Sequence, residues 1–313
     1  MENRNYAAPY VRCRRGRTIW RIVKDRTAKS VMLALTVVSI LLLIVIGMGL
    51  YVKSLPILQE KSLWELIASG RWKPLKGEFG FFPFLMSTLA VTGIAITWAL
   101  PVSLLTAVML TENSRPYAKR IVFPTLDILA GIPSVVYGVW GVLIIVPWIS
   151  ERLAPKFVEF STGYTVLAGG IVLGIMILPL LISLFVELFS SVPKELREAS
   201  LSLGATKWQT TKFVVLKKTL PGIFAAVILA ISRAMGETIA VLMVCGNIIQ
   251  APKSFFDGCY PLPALIANNY GEMLSLPMYE SALMFAALIL FTVVLFFNFV
   301  SRIIMNRIEK SFI

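Results

Sequence analysis

Histidine is absent from this 313-residue chain, and cysteine occurs three times, at Cys13, Cys245 and Cys259. Without histidine there is no histidine-dependent catalytic triad. No Cys/His cluster offers the ligands of a classical zinc site. The cysteines fall in a basic tail, an apolar segment and a loop, so no disulfide is expected. No Gly-x-x-x-x-Gly-Lys-Ser/Thr occurs, so the chain carries no Walker-type ATP site of its own. Charge is scarce as well: Asp, Glu, Lys and Arg make up 15% of the residues, against about 25% in soluble domains. The sequence therefore assigns no catalytic residue, no metal and no cofactor to this chain.

Apolar residues fill the gap. They are 57% of the chain, and the mean hydropathy is +0.79, which marks a polytopic membrane protein. Six apolar segments reach the roughly 20 residues that a spanning helix needs: 30–52, 82–110, 121–149, 164–189, 220–246 and 281–304. The fold class expected is all-α, with a basic tail at 1–29 and a membrane domain at 30–313. The first apolar run exceeds the core of a cleavable signal peptide, and no small-x-small site follows it. Pro101, Pro124, Pro133, Pro147 and Pro179 sit within the expected spans. Each removes a helix hydrogen bond; such interruptions mark a substrate path in some membrane proteins and ordinary helix irregularity in others. No internal repeat is evident.

The net charge of +13 is explained by topology. Of the 30 Lys and Arg residues, twenty-one fall in the N-terminal tail, 111–120, 190–219 and the C-terminal end; eight fall in 53–81, 150–163 and 250–280. Positive charge gathers on the cytoplasmic side, so both termini are expected in the cytoplasm. The tail then serves as a topology anchor near membrane lipid, and no nucleic-acid partner is expected.

Loop 190–219 reads SSVPKELREASLSLGATKWQTTKFVVLKKT. Pro193 suits the start of a helix, KELREASLSLGA supports two turns or more, and Gly204 can end them in a left-handed conformation. A short helix, a turn and a second helix leading into span five are predicted. Within it, Glu198, Ala199, Ser200, then Gly204, then Val214, Val215 and Leu216 resemble the EAA loop of ABC importer permeases, with Lys217 where that pattern has proline. WKPLKGEFGFFPFLMSTLAVTGIAI (72–96), LAGIPSVVYGVWG (129–141), SRAMGETIAVLMVCGN (232–247) and ALIANNYGEM (264–273) are similar to PstC-type permeases of ABC phosphate importers. The resemblance implies a type I importer permease in a bacterial or archaeal inner membrane. It also implies a second, similar permease, two copies of a separate ATPase docked on the cytoplasmic loops, and an extracytoplasmic phosphate-binding protein. Glu198, Ala199, Ser200 and Gly204 would then couple the chain to the ATPase. An importer of another oxyanion, or a signalling or scaffold membrane protein, stays open as an alternative.

Two charges, Arg233 and Glu237, stand near the middle of the fifth segment. A charge at the bilayer centre is costly, about 2.5–3.5 kcal/mol on insertion scales. Four residues apart on a helix, they share one face and can partly neutralise each other; Ser232, Gly236 and Ala240 form a neighbouring stripe of small residues. The pair reads either as a buried tether or as an anion contact in which the guanidinium meets phosphate. Asp127, in the third segment, and Asn247, with 268–273 at the outer mouth, are further candidates for the substrate pathway.

Overall fold

The computed structural model describes residues 15–271 and 278–311. It falls into two units, Met1–Gly49 and Leu50–Ile313. Helix α1 (Arg15–Glu60) provides the described structure of the first unit, and its Leu33, Leu41 and Ile44 side chains are exposed. The second unit adds, in chain order, α2 (Leu63–Ala68), a hairpin of β1 (Trp72–Lys73) and β2 (Glu78–Phe79), α3 (Phe82–Val108), α4 (Pro116–Gly131), α5 (Ser134–Trp140), α6 (Val146–Trp148), α7 (Val166–Ser190), α8 (Lys194–Ser202), α9 (Lys207–Thr210), α10 (Leu216–Met235), α11 (Ile239–Val244), α12 (Leu262–Asn269) and α13 (Tyr279–Ser311). Among the described residues six helical stretches are long and apolar enough to cross a membrane: Lys24–Glu60, Phe82–Asn113, Ser134–Lys156, Val166–Ser190, Lys207–Met235 and Tyr279–Ile304. The all-α reading and the number of spans hold.

Two expected spans are differently built. Segment 121–149 is not one helix. α4 stops at Gly131, Ile132 is extended (φ −66°, ψ 128°), and α5 starts after Pro133. The proline ring disfavours helical geometry at the residue before it, so the span that crosses begins at Ser134. The hydroxyl of Tyr137 donates to the Leu129 carbonyl at 2.8 Å, supplying a donor where the break leaves that carbonyl without its helical one. Segment 220–246 breaks as well: α10 ends at Met235, and a separate short helix, α11, follows. The other flagged prolines are tolerated. Pro101, Pro124 and Pro179 lie inside α3, α4 and α7, and Pro147 sits in α6, between wider π-helical turns at Gly141–Ile145 and Ile149–Leu153.

The core is the contact of α3 with α7, and its closeness is written in glycine. Gly170 and Gly174 form a Gly-x-x-x-Gly pair, the spacing that brings membrane helices together. Ile94 and Trp98, four apart on α3, cover them: a Cβ on Gly170 would lie 2.4 Å from Ile94, and one on Gly174 2.4 Å from the Trp98 ring. The Trp98 indole N–H donates to the Gly170 carbonyl at 3.3 Å. A second cluster gathers around the hairpin, where Trp72 meets Phe79, Phe81, Phe84 and Tyr279 edge-on with ring centres 5.1–6.1 Å apart.

Because the Trp98 ring and the helix backbone would both have to shift, Gly174→Val should cost about 1–3 kcal/mol by overpacking. A lowered thermal midpoint of the detergent-solubilised protein checks this; an unchanged midpoint would mean that the helices do not approach this closely.

Candidate functional site

The 190–219 segment forms the predicted helix–turn–helix. Pro193 occupies the position just before α8, and no residue of α8 is buried. Gly204 adopts φ +83°, its N–H bonds the Leu201 carbonyl at 3.0 Å, and the Ala205 N–H bonds that of Ser200 at 3.3 Å. This is the left-handed helix stop that favours glycine. Thr206 and Gln209 then cap α9 reciprocally, the capping-box arrangement that satisfies two otherwise orphaned N–H groups. The Ser200 and Thr210 hydroxyls, 3.0 Å apart, fasten the two helices together. Glu198 and Ala199 are exposed while Ser200 is half-buried. Beside them stand apolar side chains with nothing over them, Leu203 at 90% exposure and Trp208 at 60%. Lys217, in place of the pattern's proline, leaves the helix intact: α10 runs through it and through Pro221.

The Arg233–Glu237 geometry differs from the sequence expectation. The helix they would share ends at Met235. Gly236 (φ −90°, ψ −4°) and Glu237 make tighter bonds three residues back, N–H of Gly236 to the Arg233 carbonyl and N–H of Glu237 to that of Ala234, both at 3.2 Å. Glycine in a helix interior costs about 1 kcal/mol relative to alanine, and here it marks where the helix stops. Glu237 therefore lies in the break, Gly236 and Ala240 do not continue a stripe with Ser232, and no Arg233–Glu237 ion pair exists among the described residues. Arg233 is exposed, in the last turn of α10, where the negative end of the helix dipole favours a cation. Ser232 and Gly236 line a groove of about 490 Å³ between α10, α12 and α13, and the buried Ser232 hydroxyl has no partner among the described residues.

The remaining candidates separate. Asp127 is exposed on α4. Asn247 follows Gly246 in a left-handed pair (φ +53° and +81°) that ends α11; its Nδ2 donates to the Leu242 carbonyl at 3.3 Å, and its Oδ1 is buried without a partner among the described residues. Asn268 and Asn269 both donate to the Tyr260 hydroxyl at 3.0 Å; residues 272 and 273 of the same motif lie outside the described residues, as does Cys13.

One arrangement was not legible in any motif. Residues 245–262 fold back across the end of the bundle where α3 and α7 begin. The Phe255 and Asp257 carbonyls accept the N–H groups of Leu167 and Val166 at 3.0 and 2.9 Å, closing the open N-terminus of α7. Ser87 and Thr88 on α3 accept the N–H groups of Tyr260 and Leu262 at 3.3 and 2.9 Å. Cys245 and Cys259, both buried and unbridged, face each other across this fold.

The structure thus combines interrupted membrane helices with a socket, the tightly capped helix–turn–helix at α8–α9. Residues 99–313 match the family of binding-protein-dependent transport system inner membrane components. The sequence is 33% identical to the phosphate transport system permease protein PstC of Haemophilus influenzae, over 77% of this chain and 80% of that one. It is 30% identical to PstC of Mesorhizobium japonicum over 97% of both. The chain belongs to the binding-protein-dependent transport permeases, in their PstC-type branch. A probable ABC transporter permease of Bacillus subtilis, YqgH, is 39% identical over 66% of each chain. Among solved structures, the fold of this permease matches a bacterial alginate ABC transporter chain with a TM-score of 0.64, at 15% identity, over 93% of this chain and 98% of that one.

Gly204→Val should strain the socket, because a Cβ in the left-handed region costs roughly 1–2 kcal/mol. Faster proteolytic cleavage within 200–210 of an otherwise folded permease is the expected result, with Gly204→Asn close to the parent. Equal cleavage of all three would show that the turn does not need its positive φ.

Proposed function

We propose that this permease is the PstC-type subunit of an ATP-driven phosphate importer. It would pair with a second, homologous permease, be driven by two ATPase subunits on the cytoplasmic side, and receive phosphate from an extracytoplasmic binding protein. The match along 97% of the chain to a relative named as a phosphate permease carries the substrate reading. The exposed α8–α9 socket supports the ATPase as partner: Glu198 and Ala199 face outward beside Leu203 and Trp208, and a rigid, capped helix passes on a rigid-body movement. ATP is hydrolysed by the separate subunit, and this chain supplies half of the pathway.

Arg233 is the anion contact in this reading. Its guanidinium is in no ion pair among the described residues, and it stands in the last turn of α10, where that helix stops. Facing lipid, it would be costly; facing a pathway enclosed with the second permease, it offers a planar fork that matches phosphate oxygens. Glu237, Asp127 and Asn247 belong to the same proposed pathway.

Since no ion pair is broken, Arg233→Gln isolates the anion contact. Phosphate uptake in vesicles should fall about 100-fold, the scale of a lost charge-assisted contact of about 1.5–3 kcal/mol, while co-purification of the complex is retained. Sulfate uptake should be negligible in both parent and variant. Assembly together with near-parental phosphate uptake would remove Arg233 from the pathway.

The charge bias supports both termini in the cytoplasm. In a background with Cys13, Cys245 and Cys259 replaced by alanine, cysteines at Gly70, Lys156 and Lys253 should react with an impermeant thiol reagent in intact cells. One at Lys207 should react only after permeabilisation. The opposite pattern would invert the topology.

A further inference from the structure

The geometry points to Arg197 as the strap by which the socket helix α8 holds the membrane bundle. The inference rests on reading α8 as the ATPase-docking helix. Within α8, Arg197 and Ser200 are the half-buried residues on one face, three apart, while Glu195, Glu198 and Ala199 are exposed. Ser200 fastens α9. Arg197 reaches the other way: its Nη2 donates to the Phe189 carbonyl at 2.5 Å and lies 3.1 Å from Glu112 Oε1. Phe189 is fully buried in the last turn of α7. Glu112 sits in the π-helical turn Met109–Asn113 that continues α3.

One guanidinium thus joins the socket to the ends of α3 and α7, the two helices locked together through Gly170 and Gly174. The side chains are 21% and 17% exposed, so solvent screens the pair less than it screens a surface pair. The Glu112 Oε1 contact is a close approach of charges without the alignment of a hydrogen bond, and Arg197 Nε has no partner among the described residues. The carbonyl bond to Phe189 fixes the strap, and the carboxylate can shift against it. A push on the outer face of α8 then reaches the ends of α3 and α7 through this residue as well as through the backbone of 191–193. Arg197 is a positioning residue, acting on the pathway through α3 and α7.

The readout is the number of phosphates transported per ATP hydrolysed by the complete transporter in proteoliposomes. In Arg197→Gln and in Glu112→Gln, ATPase subunits should co-purify and hydrolyse ATP at the parental rate, while the ratio falls by about tenfold. The double variant leaves neither charge unpaired. Its ratio should stay as low as that of Arg197→Gln, because that variant already removes the Glu112 contact together with the bond to Phe189. A parental ratio in both single variants overturns the strap. So does a double variant that recovers the parental ratio, since that reports only an unpaired buried charge. Loss of co-purification in Arg197→Gln also overturns it, by placing Arg197 in the docking face. Leu203→Asp tests the underlying reading separately: if it still co-purifies with the ATPase at parental yield, α8 is not the docking helix and the inference fails with it. If it releases the ATPase while Arg197→Gln keeps a parental ratio, docking stands and the strap alone falls.

Discussion

The close approach of α3 to α7 is the contact around which the rest is arranged. Hydrophobic burial does little to hold two helices together in lipid, since the tails are as apolar as the side chains; packing contact and hydrogen bonds must do it. Gly170 and Gly174 remove the side chains that would separate the helices, and Ile94 and Trp98 fill the space. At one end of this pair, Ser87, Thr88 and the first N–H groups of α7 hold the returning 245–262 segment. At the other, Phe189 and Glu112 receive Arg197 from the socket. Both ends are therefore anchored to the same pair of helices.

Interruptions are the second theme. A backbone group inside a membrane needs a partner within the protein, and each break here shows how that is met. Tyr137 bonds Leu129 across the break at Ile132 and Pro133. At Gly236 the chain tightens to bonds three residues back, and the Thr238 hydroxyl adds one to the Gly236 carbonyl at 3.3 Å. At these breaks the tighter turn and side-chain hydroxyls satisfy the freed backbone groups, while the buried Ser232 hydroxyl and Asn247 Oδ1 keep no partner among the described residues.

The capped socket is rigid for a different reason: it is built entirely from local bonds. Gly204, the Thr206–Gln209 box and the Ser200–Thr210 contact lie within eleven residues of one another. Leu203 and Trp208 stand exposed beside these bonds.

Local chemistry was legible in the sequence. The number of spans followed from apolar run length, because a bilayer fixes how long such a run must be. The socket followed from Pro193, Gly204 and the spacing of Glu198, Ala199 and Ser200, because caps and turns are decided by neighbouring residues. The same reasoning misplaced the third span and joined Arg233 to Glu237, because hydropathy does not register where an apolar run stops being one helix; Pro133 and Gly236 are ambiguous until their neighbours are known. Contacts between distant parts of the chain were out of reach. Arg197 with Glu112, Ser87 and Thr88 with 260–262, and Cys245 with Cys259 have no spacing rule to announce them. The sequence by itself determined the all-α membrane architecture and the chemistry of each candidate residue. Only the tertiary structure decided which charges meet and which stand alone, because pairing depends on distances in space that the order of residues does not contain.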